Sequence, residues 1–192
     1  IPLAKKLEDN FRLASALSDY GWLLNVKKEY LKASKYLEQS EEIFGNEDSQ
    51  ENLAACYSNL SISYYHLGEI SKSIFVLKEA IKINEKFDDC KEVAKLNNNL
   101  GVRYQNNNQY QLAFLTLKKA LSTAESCNSN EIIAQSHDNL GEYYLAQQDY
   151  KKALSHFQKA IQTLLPRFQY QEDWHNPTKR DVEFAYNKID LL

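Results

Sequence analysis

The chain has 192 residues, of which 43% are hydrophobic and 26% charged, with 5 glycines and 3 prolines; that balance fits an ordered globular chain and excludes a disordered or low-complexity one. A net charge of -3 offers no basic footprint for a nucleic-acid backbone, no stretch approaches the roughly 20 apolar residues that span a bilayer, and the N-terminus lacks a secretory pattern. The expectation is a cytoplasmic protein with neither nucleic acid nor membrane as partner, and helical throughout, since prolines occur only at Pro2, Pro166 and Pro177.

Residues 1–13 align with 41–53 and read as the end of a preceding repeat running into the start of the first helix. With Ile1 in first place and no methionine anywhere, the chain is expected to be a piece of a longer protein. Four repeats follow, at 14–53, 54–93, 94–133 and 134–165. Their period of 40 is set by Asp19-Tyr20-Gly21, Asn59-Leu60-Ser61, Asn99-Leu100-Gly101 and Asn139-Leu140-Gly141. Equivalent columns keep one chemical type. Gly21, Ser61, Gly101, Gly141 and Ala33, Ser73, Ala113, Ala153 are small, whereas Leu24, Tyr64, Tyr104, Tyr144 and Leu37, Leu77, Leu117, Phe157 are bulky. Small residues allow two helices to approach closely and the bulky ones fill the space between repeats. Each repeat therefore reads as a helical hairpin, its first helix ending near Lys27, His66, Asn106 or Gln147. Asp48 with Glu51, Asp89 with Glu92 and Asn128 with Glu131 are spaced as capping boxes ahead of the next first helix.

These columns resemble the tetratricopeptide repeat, over residues 14 to about 165, with a unit longer than the common form of about 34 residues. The column where that family carries Trp holds Leu17, Tyr57, Asn97 and His137, a departure expected to weaken packing in repeats three and four. The resemblance implies an all-α, right-handed superhelical solenoid of antiparallel helix pairs, closed by a C-terminal capping helix. It also implies that the first helices line a concave groove that takes a protein or peptide segment. The groove residues so implied include Asp19, Trp22, Asn59, Tyr65, Asn98, Asn99, Gln105, Gln135, Asp138, Asn139 and Glu142, with Asn25 in the same column as Tyr65. The column Asn59, Asn99, Asn139 admits two readings: amides that pair with the backbone of an extended partner, or amides that brace their own repeats. A clamp for a terminal carboxylate, as in chaperone-tail receptors that the family includes, is not expected, because the matching columns carry Ser18, Trp22, Asn99, Gln135 and Asn139 and no cation.

No catalytic, cofactor or metal site is expected. Cys56 and His66 stand ten residues apart on one helix, roughly 15 Å, His137 reads as a packed ring, and His156 and His175 lack neighbours at metal spacing. Cys56, Cys90 and Cys127 read as separate packed thiols. The 13 tyrosines read as core rather than as a stacking surface for single strands. After Leu165 the repeat gives way to a linker, 166–178, and an amphipathic segment, 179–192, expected to cap the array. The phrase Ala160-Ile161-Gln162-Thr163-Leu164-Leu165-Pro166-Arg167-Phe168, with Asn176-Pro177 and Tyr186 to Leu192, is similar to the junction in bacterial CHAT-domain proteins, where such arrays precede a caspase-like protease domain. That resemblance implies a regulatory or substrate-recruiting arm; a peptide-responsive sensor and a plain spacer remain open beside it. Oligomeric state is not legible.

Overall fold

The computed structural model describes residues 2–46 and 49–166, with side chains from Asp9 onward. Eight helices follow one another among the described residues: α1 (Pro2–Val26), α2 (Tyr30–Asn46), α3 (Gln50–His66), α4 (Ile70–Lys86), α5 (Cys90–Asn106), α6 (Tyr110–Ser126), α7 (Asn130–Ala146) and α8 (Tyr150–Leu164). They pair as antiparallel hairpins α1–α2, α3–α4, α5–α6 and α7–α8, each stacked on the next as a right-handed solenoid. Helix α1 runs unbroken through residue 13, so the segment that aligns with 41–53 has no turn where the later repeats break. The linker and capping helix expected beyond Pro166 lie outside the described residues.

The small columns do what their size permits. A Cβ added to Gly21 would lie 2.5 Å from Leu37 Cγ, one added to Gly101 would lie 2.6 Å from Leu117 Cγ, and one added to Gly141 would lie 2.5 Å from Phe157. The helices of these three hairpins therefore touch through a missing side chain; Leu37 and Leu117 are completely buried against that contact, and Leu77 is equally buried in the hairpin that carries Ser61. Stacking is sealed by Leu60, Leu100 and Leu140 on the first helices, all buried.

The turns repeat with the same period. Lys28, Gly68, Asn108 and Gln148 all have positive φ, between 58 and 79°. The next residue's N–H reaches back to the carbonyls of Leu24, Tyr64, Tyr104 and Tyr144, the 6→1 bond of a Schellman cap. Asp88 and Asn128 end the second helices in the same way, with Asp89 N–H on Asn84 and Ser129 N–H on Ala124. This corrects one start signal: Asn128 closes α6, and Ser129, without a side-chain cap bond, opens α7. The Asp89 cap stands, its carboxylate accepting from Glu92 N–H at 3.0 Å, while Asp48 lies outside the described residues. A left-handed φ costs a side-chain-bearing residue about 1–2 kcal/mol, which glycine avoids at some cost in unfolded-chain entropy. Gln148→Gly is accordingly expected to stabilise the fold by about 0.5–1 kcal/mol, read as a higher urea midpoint with unchanged slope.

The cysteine expectation is overturned for two of three. Cys90, the first residue of α5, and Cys127, just past the end of α6, form a disulfide with Cα atoms 6.1 Å apart, because the hairpin brings its own open ends together. Cys56 is free and buried. No described helix is long and apolar enough to cross a membrane.

Candidate functional site

Among the first helices α1 meets α3 and α5 meets α7 directly, and α5 touches α3 through Arg103 and Asn106 on Tyr65, while the second helices approach one another less. The odd helices consequently form the inner wall, and successive turns of each present the columns singled out from the sequence. Asp19, Trp22, Gln135, Asp138 and Glu142 are exposed, and Tyr65 and Gln105 are half-buried. Asn59, Asn99 and Asn139 are half-buried too, one per repeat. Their side-chain amides make no hydrogen bond to any other group among the described residues, unlike those of Asn25, Asn97, Asn98 and Asn106.

Asn98 departs from the groove expectation. Its side chain is fully buried and Nδ2 donates to Ser136 Oγ at 2.9 Å, so it braces repeat three against repeat four and presents nothing to the surface. Asn25 does the same between the first two repeats, donating to the Asn59 carbonyl at 2.9 Å and accepting from Ser63 Oγ at 2.7 Å. Both lie where a first helix meets its successor, and burial leaves them no partner but the neighbouring helix.

Arg103 belongs to none of the groove columns, and sequence reasoning passed over it. Its guanidinium carbon lies over the Tyr65 ring, 3.7 Å from the centroid, and Nε donates to Ser73 Oγ at 3.2 Å. Tyr65 is fixed from the other side by Asn106, whose Nδ2 donates to the phenol oxygen at 2.9 Å. His66, the next residue, stacks on Tyr30 at 4.2 Å; burial first, then the charges of Arg103 and Lys28, holds its pKa below the ordinary histidine value.

The groups that could suggest catalysis are otherwise engaged. Cys56 donates to the Leu37 carbonyl, and burial pushes its thiol up to about 12, the reverse of an activated nucleophile. His137 fills the departed aromatic column, and its Nδ1 shares a proton with His156 Nδ1 at 3.1 Å; His156 in turn stacks on Tyr144. Burial, then His137 and Lys159, lowers His156 to about 4, and burial with Lys159 also lowers His137. Both rings therefore take up a proton less readily in the folded hairpin than in the unfolded chain, where the ordinary value is near 6.5. A lowered folded pKa means stability that is complete above the unfolded value and is lost as pH falls. The array is expected to melt lower at pH 5 than at pH 7, and His156→Gln to shrink that difference; an equal pH slope in the variant counts against the pair.

This is a scaffold of stacked helical hairpins. The family described as tetratricopeptide repeat matches residues 3–86 and 92–164, which is more than half of the chain, and the chain belongs to that family. Among solved structures it is similar to the apo form of RapI, with a TM-score of 0.72 and 15% identity, covering 95% of this chain and 54% of that one. It is also similar to a STAND-class signal transduction ATPase with a tetratricopeptide repeat sensor from Pyrococcus horikoshii, with a TM-score of 0.74 and 18% identity over 84% of this chain and 26% of that one. A putative kinesin light chain from Podosopora anserina, with nearly identical repeats of this type, gives a TM-score of 0.69 at 17% identity, covering 95% of this chain and 89% of that one. At these identities the likeness concerns the fold, and the chain spans about half of the first structure and a quarter of the second. No curated protein matches the sequence.

Proposed function

We propose that the inner wall of this array binds an extended protein or peptide segment, paired through the side-chain amides of Asn59, Asn99 and Asn139. The observation that carries the reading is that these three amides are half-buried, one in each of repeats two to four, and engaged with no other group among the described residues. An amide offers two donors and an acceptor, the set that a peptide backbone presents in reverse. Selection from a random peptide display on the whole chain tests it: the array retains peptides, and a chain with Asn99→Ala and Asn139→Ala does not. Equal retention by both chains removes the groove assignment.

The larger role follows from the junction at Ala160 to Phe168, whose similarity to CHAT-domain proteins supports a regulatory or substrate-recruiting arm of a protease. The product of the coding sequence beyond Leu192 is then expected to label with a thiol-directed caspase-type probe. A kinase or DNA-binding domain in that place would instead favour a bacterial sensor module, the reading supported by likeness to a protein whose repeats are named a sensor.

A further inference from the structure

Arg103 is a buried cation without a counter-ion. The residue is 8% exposed, and no carboxylate among the described residues pairs with it. Taking a guanidinium out of water costs several kcal/mol unless the lost hydration is replaced. Here the replacement is partial: the Tyr65 face supplies a cation–π contact, and Ser73 accepts from Nε. The two terminal nitrogens donate to no group among the described residues, yet neither belongs to the sealed, unsatisfied polar atoms of the interior. They remain open to an incoming acceptor.

The surroundings supply no competing anion. Asn106 and Tyr65 form one side, and the charges of Arg103 and Lys28 both act on His66 nearby. None of these groups is a carboxylate, and those of Glu29 and Glu69 in the adjoining turns are already taken by Lys32 and Lys72. We propose that Arg103, held over the Tyr65 ring where α5 meets α3, is the seat for a carboxylate carried by the bound segment. Two terminal nitrogens in one plane match the two oxygens of a carboxylate side by side. This assignment rests on the groove reading and gives it a chemical preference: the segment that lies along Asn59, Asn99 and Asn139 bears an Asp or Glu, or ends in its own carboxylate, at the level of Tyr65. Arg103 stands between helices and not on a groove column, so the lack of cations in those columns leaves this seat intact.

The test uses the whole chain and four amidated nonapeptide pools with fixed central Glu, Gln or phosphoserine, or a fixed apolar residue, and a fifth pool with a free C-terminus. Binding by fluorescence anisotropy is expected to be at least tenfold tighter for the Glu pool, or the free-terminus pool, than for the Gln pool. Arg103→Met removes that ratio, and Arg103→Lys, which keeps the charge but not the planar fork, restores it only in part. The Met variant is expected to melt no lower than the wild type, since it deletes an uncompensated buried charge; a variant that does not fold leaves the Lys variant and the pool ratio to decide. Equal binding of Glu and Gln pools overturns the carboxylate seat and leaves the groove intact. Preference for phosphoserine alone overturns it in favour of phosphate, and absence of binding by every pool overturns both readings.

Discussion

Gly101→Leu is expected to destabilise the array by about 3 kcal/mol, at the upper end of what forced overpacking costs. The added side chain starts from a Cβ that would lie 2.6 Å from both Cγ and Cδ2 of Leu117, with the Leu117 amide nitrogen 3.3 Å away. The branch carbon cannot swing aside as a chain tip can, and Leu117 is fully buried, so α5 and α6 must move apart. Repeat two shows what room the architecture has: Ser61 occupies the same column opposite Leu77 and remains buried, so a single small side chain can be absorbed there, but a branched one has no precedent in the array. For a domain of this size the melting temperature should fall by about 6–12 °C, followed by circular dichroism. Adding Leu117→Ala should recover part of the loss, because the two positions share one space; a Gly101→Leu chain that melts as the wild type would refute close approach at this crossing.

Loss of peptide capture is the second large effect. With Asn99→Ala and Asn139→Ala, each unmatched backbone pair left on the partner costs about 1–1.5 kcal/mol, so the affinity for a selected peptide should fall by roughly 30- to 150-fold. Neither amide bonds to another group among the described residues, so the melting temperature should change little. That pairing of outcomes separates the two readings of the column, since amides that brace the repeats would lower stability when removed. Asn98→Ala supplies the contrast: it breaks the buried contact with Ser136, and is expected to lower stability while leaving peptide affinity near its original value.

The hairpin period was legible because packing imposes a size on each column, and Gly21, Gly101 and Gly141 could be read directly as crossing points. Turn position followed from polarity, but turn conformation did not: Lys28 and Gln148 hold a left-handed φ that their own preferences would not select, and the Schellman bonds of the surrounding helices impose it. Cys90 and Cys127 were misread because their separation was compared with zinc and disulfide frameworks. Set against two 17-residue helices and a short turn, the same spacing places them opposite each other. Arg103 was hidden for another reason, in that its column runs Leu23, Ser63, Arg103, Tyr143 and has no common chemistry. Columns reveal what repeats share, and a site built by one repeat alone leaves no periodic trace. The groove residues Asn98 and Asn25 show the converse, where a shared column position is turned inward by its particular neighbour.

The bond between Cys90 and Cys127 makes the α5–α6 hairpin a covalent ring, closed at one end by the Asn107–Gln109 turn and at the other by sulfur. Under tension applied through the chain ends, force passes across that ring without entering it. The other hairpins pay out their full length when they yield, but the segment inside the ring, 37 residues in sequence separation, withholds about 120 Å of contour. An array of otherwise similar springs thus contains one link that can rotate and tilt but cannot be drawn out.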